Sequence, residues 1–412
     1  MSNNILPDEV WKSWSEFNKA VRGKEIIFFG ASDDWTAKTL QKSSIESFYF
    51  VDNNETLHGS SFFNTQVKNP EILKTKAKDR FVVITSGAYE SVYPQLVEYG
   101  LKPGSDFCIT PALNNLKAIT DVHNHEATLL ISSPDHKIYS NLDKDSSVGG
   151  GLFTYNIKTM ECNRVLDGTF HQIMDTGKEF YIADEKRGIC RVSRDFKLLD
   201  TYGGGEGDKP HGIAYCPERN LVFLAKTGKD IICAYDVKTK KLKFEIKFTD
   251  KIKKAGKPGH WINDIFVKGD YLYASMFSHT GSYLDGVYDG GVQQIKIDNP
   301  DERHVLMNGL WMPHSVCFFD SEICVLDSMY GYFYKTDKKV IGDFFGFIRG
   351  IAYDNVYYYI GQSETRYFDR LKGIRKNIGM NAGFYLFDEE TKAAKFFTIP
   401  KLRQVRDIVV LK

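Results

Sequence analysis

The sequence predicts a small α/β domain followed by an all-β domain that forms a six-bladed β-propeller. Three observations lead to this prediction. Apolar strands alternate with helical stretches over residues 1–115. From Glu126 onward short strands and turn residues replace that pattern, and one three-residue motif recurs six times. The strands of the segment 127–412 also divide into complete blades, because the last strand of the chain supplies the inner strand that the three strands at the start of the segment lack.

Composition narrows the classes of function. The 412 residues include 54 Lys and Arg against 53 Asp and Glu, and this balance argues against a nucleic-acid-binding protein. No apolar run approaches the roughly 18 residues that cross a bilayer, so no membrane span is expected. The seven cysteines form no C-x-x-C pair, which indicates a reducing, cytoplasmic environment.

The first domain, residues 1–115, is expected to be a doubly wound parallel sheet. Strands are predicted at residues 25–30, 48–51, 81–84 and 107–109. Ligands of such sheets bind at the carboxyl ends of the strands, here beside Gly30 and Asp52. The turn from Gly30 to Trp35 lacks the further glycines of a dinucleotide fingerprint, and Asp33 and Asp34 would repel a pyrophosphate. NAD is therefore not expected.

A family resemblance covers about residues 22–110. The runs FFGAS, FYFVDNN, NPEIL, VVITSGAY and QLVEYG resemble the small Rossmann-like domains of bacterial sugar methyltransferases and sugar-nucleotide N-acetyltransferases. The resemblance implies that this domain holds a nucleotide-sugar. The residues it assigns to that role are Gly30, Ala31, Ser32 and Asp52.

The recurring motif is a polar residue, then a small or acidic one, then a β-branched run. Its six copies begin at His171, His211, Asn263, His314, Arg349 and Arg406. Five copies run into a second strand, as expected for blades of a propeller, whereas the sixth meets the end of the chain. Residues 128–132, 152–157 and 163–167 are three strands without an inner neighbour. Pairing the C-terminal strand with them closes the ring and removes an exposed edge. Residues 116–126 are predicted to link the two domains.

The propeller segment also resembles known families. Residues 203–214, GGGEGDKPHGIA, look like the glycine-rich loop and strand entry of NHL- and gluconolactonase-like propellers. Residues 309–328 and 347–366 resemble a bacterial family of six-bladed propellers of uncharacterised function. These resemblances imply a fold and no activity.

The first residues of the six copies, which we call the mouth residues, are expected to face one mouth of the central channel. Three imidazoles, His171, His211 and His314, could hold Zn²⁺, Mn²⁺ or Fe²⁺. Arg349 and Arg406 would bind a carboxylate or phosphate, and Asn263 would bind metal or substrate. The layout is similar to that of amidating lyase and oligogalacturonate lyase propellers, which use three histidines and a metal at this place. Polar residues that merely line a solvated channel remain the alternative.

The leading hypothesis is a metal-dependent lyase, epimerase or hydrolase that acts on a sugar or nucleotide-sugar. Its place in bacterial surface-glycan biosynthesis is implied by the resemblance alone. Trp261 and Trp311 could stack on a sugar ring, and Arg366 could orient a ligand. The alternative hypothesis is a propeller that binds carbohydrate or protein without catalysis, and an oligomer is left open.

Overall fold

The computed structural model describes residues 6–75, 79–134, 150–248, 258–371, 377–400 and 402–411. The chain divides into two compact units, Met1–Asn124 and His125–Lys412. An α-helix, Asn114–Asn124, ends the first unit and covers most of the segment 116–126 predicted to be a linker. No helix in the described ranges is long and apolar enough to span a membrane.

The first unit contains a mainly parallel sheet, as predicted, but with six strands where four were expected. Its strands are β1 (Glu25–Phe29), β2 (Phe48–Val51), β3 (Ser61–Phe62), β4 (Thr65–Lys68), β5 (Arg80–Ile84) and β6 (Phe107–Ile109), in the order β3-β4-β2-β1-β5-β6. Its α-helices are α1 (Trp14–Val21), α2 (Asp33–Gln41), α3 (Tyr89–Glu98) and α4 (Asn114–Asn124). Short 3₁₀ helices lie at Asp8–Val10, Glu55–Leu57, Pro70–Lys74 and Pro111–Leu113.

Strand β1 shows why this unit folds as a layered sheet. Ile27 and Phe29 face one apolar cluster, whereas Ile26 and Phe28 face another on the opposite side. A strand buried on both faces needs a continuous apolar run, and such a run was the basis for predicting this strand from the sequence. The hairpin of β3 and β4 was not predicted, because its strands are short and largely polar.

The second unit is a six-bladed propeller, and each blade is a four-stranded antiparallel sheet. The first three blades in chain order contain β7 (Thr128–Ser133), β8 (Gly151–Asn156) and β9 (Cys162–Asp167); β10 (Phe170–Asp175), β11 (Glu179–Asp184), β12 (Gly188–Ser193) and β13 (Leu198–Gly203); and β14 (Pro210–Cys216), β15 (Leu221–Lys226), β16 (Ile231–Asp236) and β17 (Leu242–Lys247).

The remaining strands complete the ring. They are β18 (Ile262–Lys268), β19 (Tyr271–Met276), β20 (Gly290–Lys296) and β21 (Asn299–Leu310); β22 (Pro313–Phe319), β23 (Glu322–Asp327), β24 (Tyr332–Lys335) and β25 (Lys339–Asp343); β26 (Phe347–Tyr353), β27 (Tyr358–Ser363), β28 (Gly383–Phe387) and β29 (Ala394–Thr398); and β30 (Asp407–Leu411). Short 3₁₀ helices lie at Thr227–Lys229, Tyr283–Asp285, Thr336–Lys338 and Phe368–Arg370.

The C-terminal strand closes the propeller, which confirms the prediction. Strand β30 pairs antiparallel with β7, with Ile408 opposite Ile131 and Val410 opposite Leu129. The blade therefore has the order β30-β7-β8-β9. Each inner strand packs beside the next, and β30 lies next to both β26 and β10.

The recurring motif coincides with an irregularity in the inner strands. In β10, β14, β18, β22 and β26 the pairing register shifts within the motif, so that one strand has an extra residue there. Such bulges bend a strand and re-aim its side chains. This bend explains why the first residue of the motif can face the channel while the apolar alternation of the strand continues.

The second residue of the motif holds neighbouring blades together. In chain order these residues are Gln172, Gly212, Asp264, Ser315, Gly350 and Asp407. The side-chain oxygen of Gln172 accepts hydrogen bonds from the amides of Ile213 (2.9 Å) and Ile265 (3.1 Å), and its Nε2 donates to the Ile265 carbonyl (2.9 Å). Gln172 thus reaches past Gly212 to the blade beyond it.

The other members of this ring continue the same pattern. Asp264 accepts from the amide of Ser315 (2.6 Å), and the Ser315 hydroxyl accepts from the amide of Gly350 (2.8 Å). Asp407 accepts from the amide of Ile173 at 2.8 Å and so joins the C-terminal strand to the next blade. These buried bonds satisfy backbone groups that the bulges leave outside the strand ladders.

Replacing Gly212 by Ala is expected to destabilise the propeller. A Cβ atom at this position would lie 2.3 Å from the Asn263 carbonyl oxygen and 3.0 Å from the Ile265 amide nitrogen, both of them backbone atoms. Relieving that overlap requires two inner strands to separate, at a cost of about 1–3 kcal/mol. Urea denaturation of the wild type and G212A measures the change, and an unchanged midpoint would contradict this packing.

Asp407 is expected to make the stability of the propeller depend on pH. Burial raises the pKa of the Asp407 carboxyl to about 8, and the carboxylate of Asp264 adds to this effect. Because the unfolded value is about 3.9, the charged form is penalised in the folded state, and stability falls as the pH rises from about 4 to about 8.

The matched variant is Asp407→Asn, which keeps an acceptor for the Ile173 amide and cannot ionise. We expect the melting temperature of the wild type to fall relative to that of D407N across this pH range. Parallel curves for the two proteins would show that the carboxylate is not the cause.

Candidate functional site

All six mouth residues line one cavity at the end of the channel where the inner strands begin. The cavity, which we call the mouth cavity, has a volume of about 220 Å³. The residues brought together there are His171, His211, Asn263, His314, Arg349 and Arg406. They come from six blades, so their proximity results from the propeller symmetry and not from closeness in sequence.

Asn263 positions its neighbours. Its Nδ2 donates to the Trp261 carbonyl (3.2 Å), and its Oδ1 accepts from the Arg406 guanidinium (3.1 Å). The same oxygen lies 3.0 Å from Nδ1 of His211. Because Oδ1 can only accept, the proton of the neutral His211 ring must be on Nδ1, which leaves Nε2 as an acceptor.

His314 is held in the same tautomer. Its Nδ1 lies 2.9 Å from the Met312 carbonyl oxygen and 2.7 Å from the Ser328 hydroxyl, and that hydroxyl donates to the Ile348 carbonyl. Both contacts require a proton on Nδ1, so Nε2 again carries the lone pair. The cavity therefore has two imidazoles whose Nε2 atoms can accept a proton.

Both imidazoles are neutral at physiological pH. Burial lowers the pKa of His211 well below its ordinary value, and His171 and Arg406 lower it further. Burial also lowers the pKa of His314, and the guanidiniums of Arg406 and Arg349 act in the same direction. A neutral imidazole can act as a general base, which a protonated one cannot.

The two buried arginines differ in their partners. Arg406 forms an ion pair with Asp264 at 3.2 Å, and both side chains are almost completely buried. Arg349 donates to the Ser363 hydroxyl (2.6 Å) and to the Gln404 side-chain oxygen (3.0 Å), both of them neutral groups. Burial and then the charge of Arg406 lower the pKa of Arg349, so its cation is present at a cost.

Both guanidiniums keep a donor unused. Within the described ranges, the Nε atoms of Arg349 and Arg406 are buried and have no hydrogen-bond partner. A buried donor without a partner costs roughly 1–3 kcal/mol, more when it is charged. Both side chains line the mouth cavity, and their positive charge favours an anionic ligand there.

His171 differs from the other two histidines. Its ring stacks on that of His211, with the centroids 4.2 Å apart and an angle of 22° between the planes. Its Nε2 lies 4.0 Å from a carboxylate oxygen of Glu185, which also lines the cavity. Glu185 was not singled out in the sequence, because it follows β11 outside the motif.

The three histidines do not form a metal-ligand set as they are arranged. A metal ion lies near the plane of each imidazole that binds it, at about 2.1 Å from the nitrogen, and the stacked rings of His171 and His211 have no such common point. In the described part of the chain, no group of three His, Cys, Asp or Glu side chains is placed to hold a metal ion. Metal binding by His171, His211 and His314 stays a prediction.

The charged groups that line the cavity favour an anion. Four cationic side chains, Arg349, Arg366, Arg406 and Lys209, face one carboxylate, that of Glu185. A cavity with this balance attracts anionic ligands. The aromatic residues that line it are Trp261, Phe277, Phe347 and Tyr367. Flat apolar rings of this kind can pack on the face of a sugar.

Lys209 was missed at the sequence level, although the repeat contains a signal for it. It lies two residues before His211, and Trp261 and Met312 lie two residues before the next two mouth residues. All three have left-handed backbone conformations, with φ of 45°, 54° and 58°. A second periodic position, two residues before the motif, would have identified them.

The structure also brings together the four residues predicted to bind a nucleotide-sugar in the first unit. Gly30 has φ of 103°, and a Cβ there would lie 2.6 Å from that of Ser86. Asp52 accepts from the amides of Ala31 and Asn54, both at 2.8 Å. Ser32 directly precedes α2. The Asp52 carboxylate thus supports the turn after β1, and nucleotide-sugar binding by this edge stays a prediction.

Comparisons with known proteins give likenesses to solved propellers. No protein-family model and no curated protein sequence matches the chain. A chain of a nidogen/laminin complex is 13% identical with a TM-score of 0.48, covering 69% of this chain and 98% of that one. A Bacteroides caccae protein of unknown function is 14% identical with a TM-score of 0.48, covering 69% and 99%. A provisionally assigned 6-phosphogluconolactonase from Bacteroides fragilis is 15% identical with a TM-score of 0.39, covering 66% and 81%.

Proposed function

We propose that the propeller binds a small acidic sugar in the mouth cavity and removes the proton next to its carboxylate. One observation carries this proposal: two buried guanidiniums with unused donors lie in the same cavity as two neutral imidazoles held by their Nδ1 atoms. The first pair suits a carboxylate and the second pair suits a proton acceptor.

The chemistry follows from the charges. The hydrogen on the carbon beside a carboxylate is only weakly acidic, because loss of that proton places a second negative charge on the carboxylate oxygens. Arg349 and Arg406 would stabilise that charge while Nε2 of His314 or His211 takes the proton. Return of a proton to the opposite face gives an epimer. If instead the C–O bond at the next carbon breaks, its oxygen leaves with the bonding electrons and takes a proton from the imidazolium, and the electron pair of the former C–H bond forms a carbon–carbon double bond.

The size of the cavity restricts the ligand. Its volume of about 220 Å³ is smaller than the roughly 300–1,000 Å³ of pockets for drug-sized ligands. One sugar ring is therefore the part of the ligand that enters, and the nucleotide of a nucleotide-sugar would remain outside. A role in surface-glycan biosynthesis stays a prediction.

Deuterium exchange tests the reaction. Glucuronate and galacturonate are incubated with the protein in D₂O, and NMR follows the hydrogen at C5, next to the carboxylate. We expect catalysed exchange at this carbon, and a rate about 100-fold lower for the variant His314→Gln, because general-base catalysis is typically worth 10²–10⁴-fold. The control is His304→Gln, which changes an exposed histidine on an outer strand. Equal rates with and without protein would contradict the proposed reaction.

Two alternatives have their own outcomes. Binding of the acidic sugar without any exchange or turnover would indicate the non-catalytic propeller. A stoichiometric Zn, Mn or Fe content that disappears when His171, His211 and His314 are all replaced by Ala would support the metal-dependent enzyme. Elemental analysis of the purified protein measures this content.

A further inference from the structure

The mouth cavity has a second, exposed pair of cations beside the buried pair. Lys209 and Arg366, which we call the rim cations, line the same cavity as Arg349 and Arg406. Lys209 precedes β14 and Arg366 follows β27, so the two approach from different blades. Both are solvent-exposed, whereas the exposed fractions of Arg349 and Arg406 are only 6% and 2%. The cavity therefore has a buried cationic floor and an exposed cationic rim.

Neighbouring carboxylates do not neutralise Lys209. In the part of the chain that the structure describes, its ammonium forms no ion pair or hydrogen bond. The adjacent Asp208 is buried and pairs with Lys226 (2.8 Å) and with Lys229. The charge of Lys209 is thus available to a ligand.

We propose that the rim cations bind a second anionic group of the ligand, so that the preferred ligand is an acidic sugar with a further negative charge. This inference rests on the proposed function. The cavity accommodates one sugar ring with its carboxylate at the floor, and the second anion then lies outside it, at the rim. A phosphate on the sugar and the carboxylate of a second sugar acid share this chemistry.

Isothermal titration calorimetry separates these cases. The probes are glucuronate, glucuronate 1-phosphate, galacturonate and digalacturonate, each titrated into the whole protein at low ionic strength. We expect one or both probes with two anionic groups to bind about tenfold more tightly than the related probe with one, since each of the two rim cations contributes up to about fivefold in affinity. The tighter of these two probes identifies the second group as phosphate or sugar acid.

The double variant K209Q/R366Q is expected to abolish this preference, so that it binds probes with one and with two anionic groups equally. The matched control is K241Q/K243Q, which removes two exposed lysines at the outer edge of the same propeller and is expected to retain the preference. If the wild type binds probes with one and with two anionic groups equally, the inference is overturned. An equal loss of preference for the second anionic group in both double variants would also overturn it. If no acidic sugar binds at all, the proposed function fails instead.

Discussion

Replacing Arg349 by Met is expected to weaken binding of glucuronate by about 100-fold or more. In the proposed binding mode Arg349 would donate charge-assisted hydrogen bonds to the ligand carboxylate, each worth about 1.5–3 kcal/mol. The same change is expected to leave the thermal stability unchanged or higher. No carboxylate in the described ranges pairs with Arg349. Burial lowers the pKa of its guanidinium, so the folded structure disfavours the cation and gains stability when the charge is removed.

The combination of the two readouts makes this experiment decisive. The Ser363 hydroxyl still donates to the Val405 carbonyl (2.9 Å) and accepts from the Val405 amide (3.1 Å), so the variant loses little structure around the site. Calorimetry measures affinity and differential scanning measures the melting temperature. A destabilised R349M with unchanged affinity would show that Arg349 supports the fold and does not bind the ligand.

Replacing Arg406 by Met is expected to have the opposite effect on stability, with a loss of about 3–5 kcal/mol. The reason is Asp264, which would remain buried without its cation. Asp264 also accepts the amide of Ser315 from the next blade, so it cannot easily turn to solvent.

A double-mutant cycle isolates this ion pair. Asp264→Asn keeps an acceptor for the Ser315 amide and removes the charge, so R406M/D264N is expected to recover most of the stability that R406M loses. Urea denaturation followed by circular dichroism gives the four free energies. Additive losses in the double variant would show that the two side chains do not depend on each other.

The blades could be predicted because the motif marks each inner strand. The register shift in β10 and its equivalents coincides with a copy of the motif each time. The C-terminal strand followed from counting strands. The hairpin of β3 and β4 could not be predicted, because two short polar strands carry no hydrophobic period.

The sequence predicted which residues meet at the site, but not how their side chains are arranged. The motif placed His211, His314 and Arg349 at one mouth, because equivalent positions of a ring must meet. Whether histidines converge on a metal or stack on one another depends on side-chain angles that sequence does not specify. The second position of the motif, exemplified by Gln172, was visible as a pattern, but its hydrogen bonds to other blades needed coordinates.

The nature of the ligand is tested most directly by an X-ray structure of crystals grown with glucuronate, with anomalous data collected for metals. We expect the carboxylate of the sugar to lie within hydrogen-bond distance of Arg349 and Arg406, with Nε2 of His314 or His211 facing C5. An anomalous peak ligated by His171, His211 and His314, or a sugar bound elsewhere with the two arginines uncovered, would contradict it.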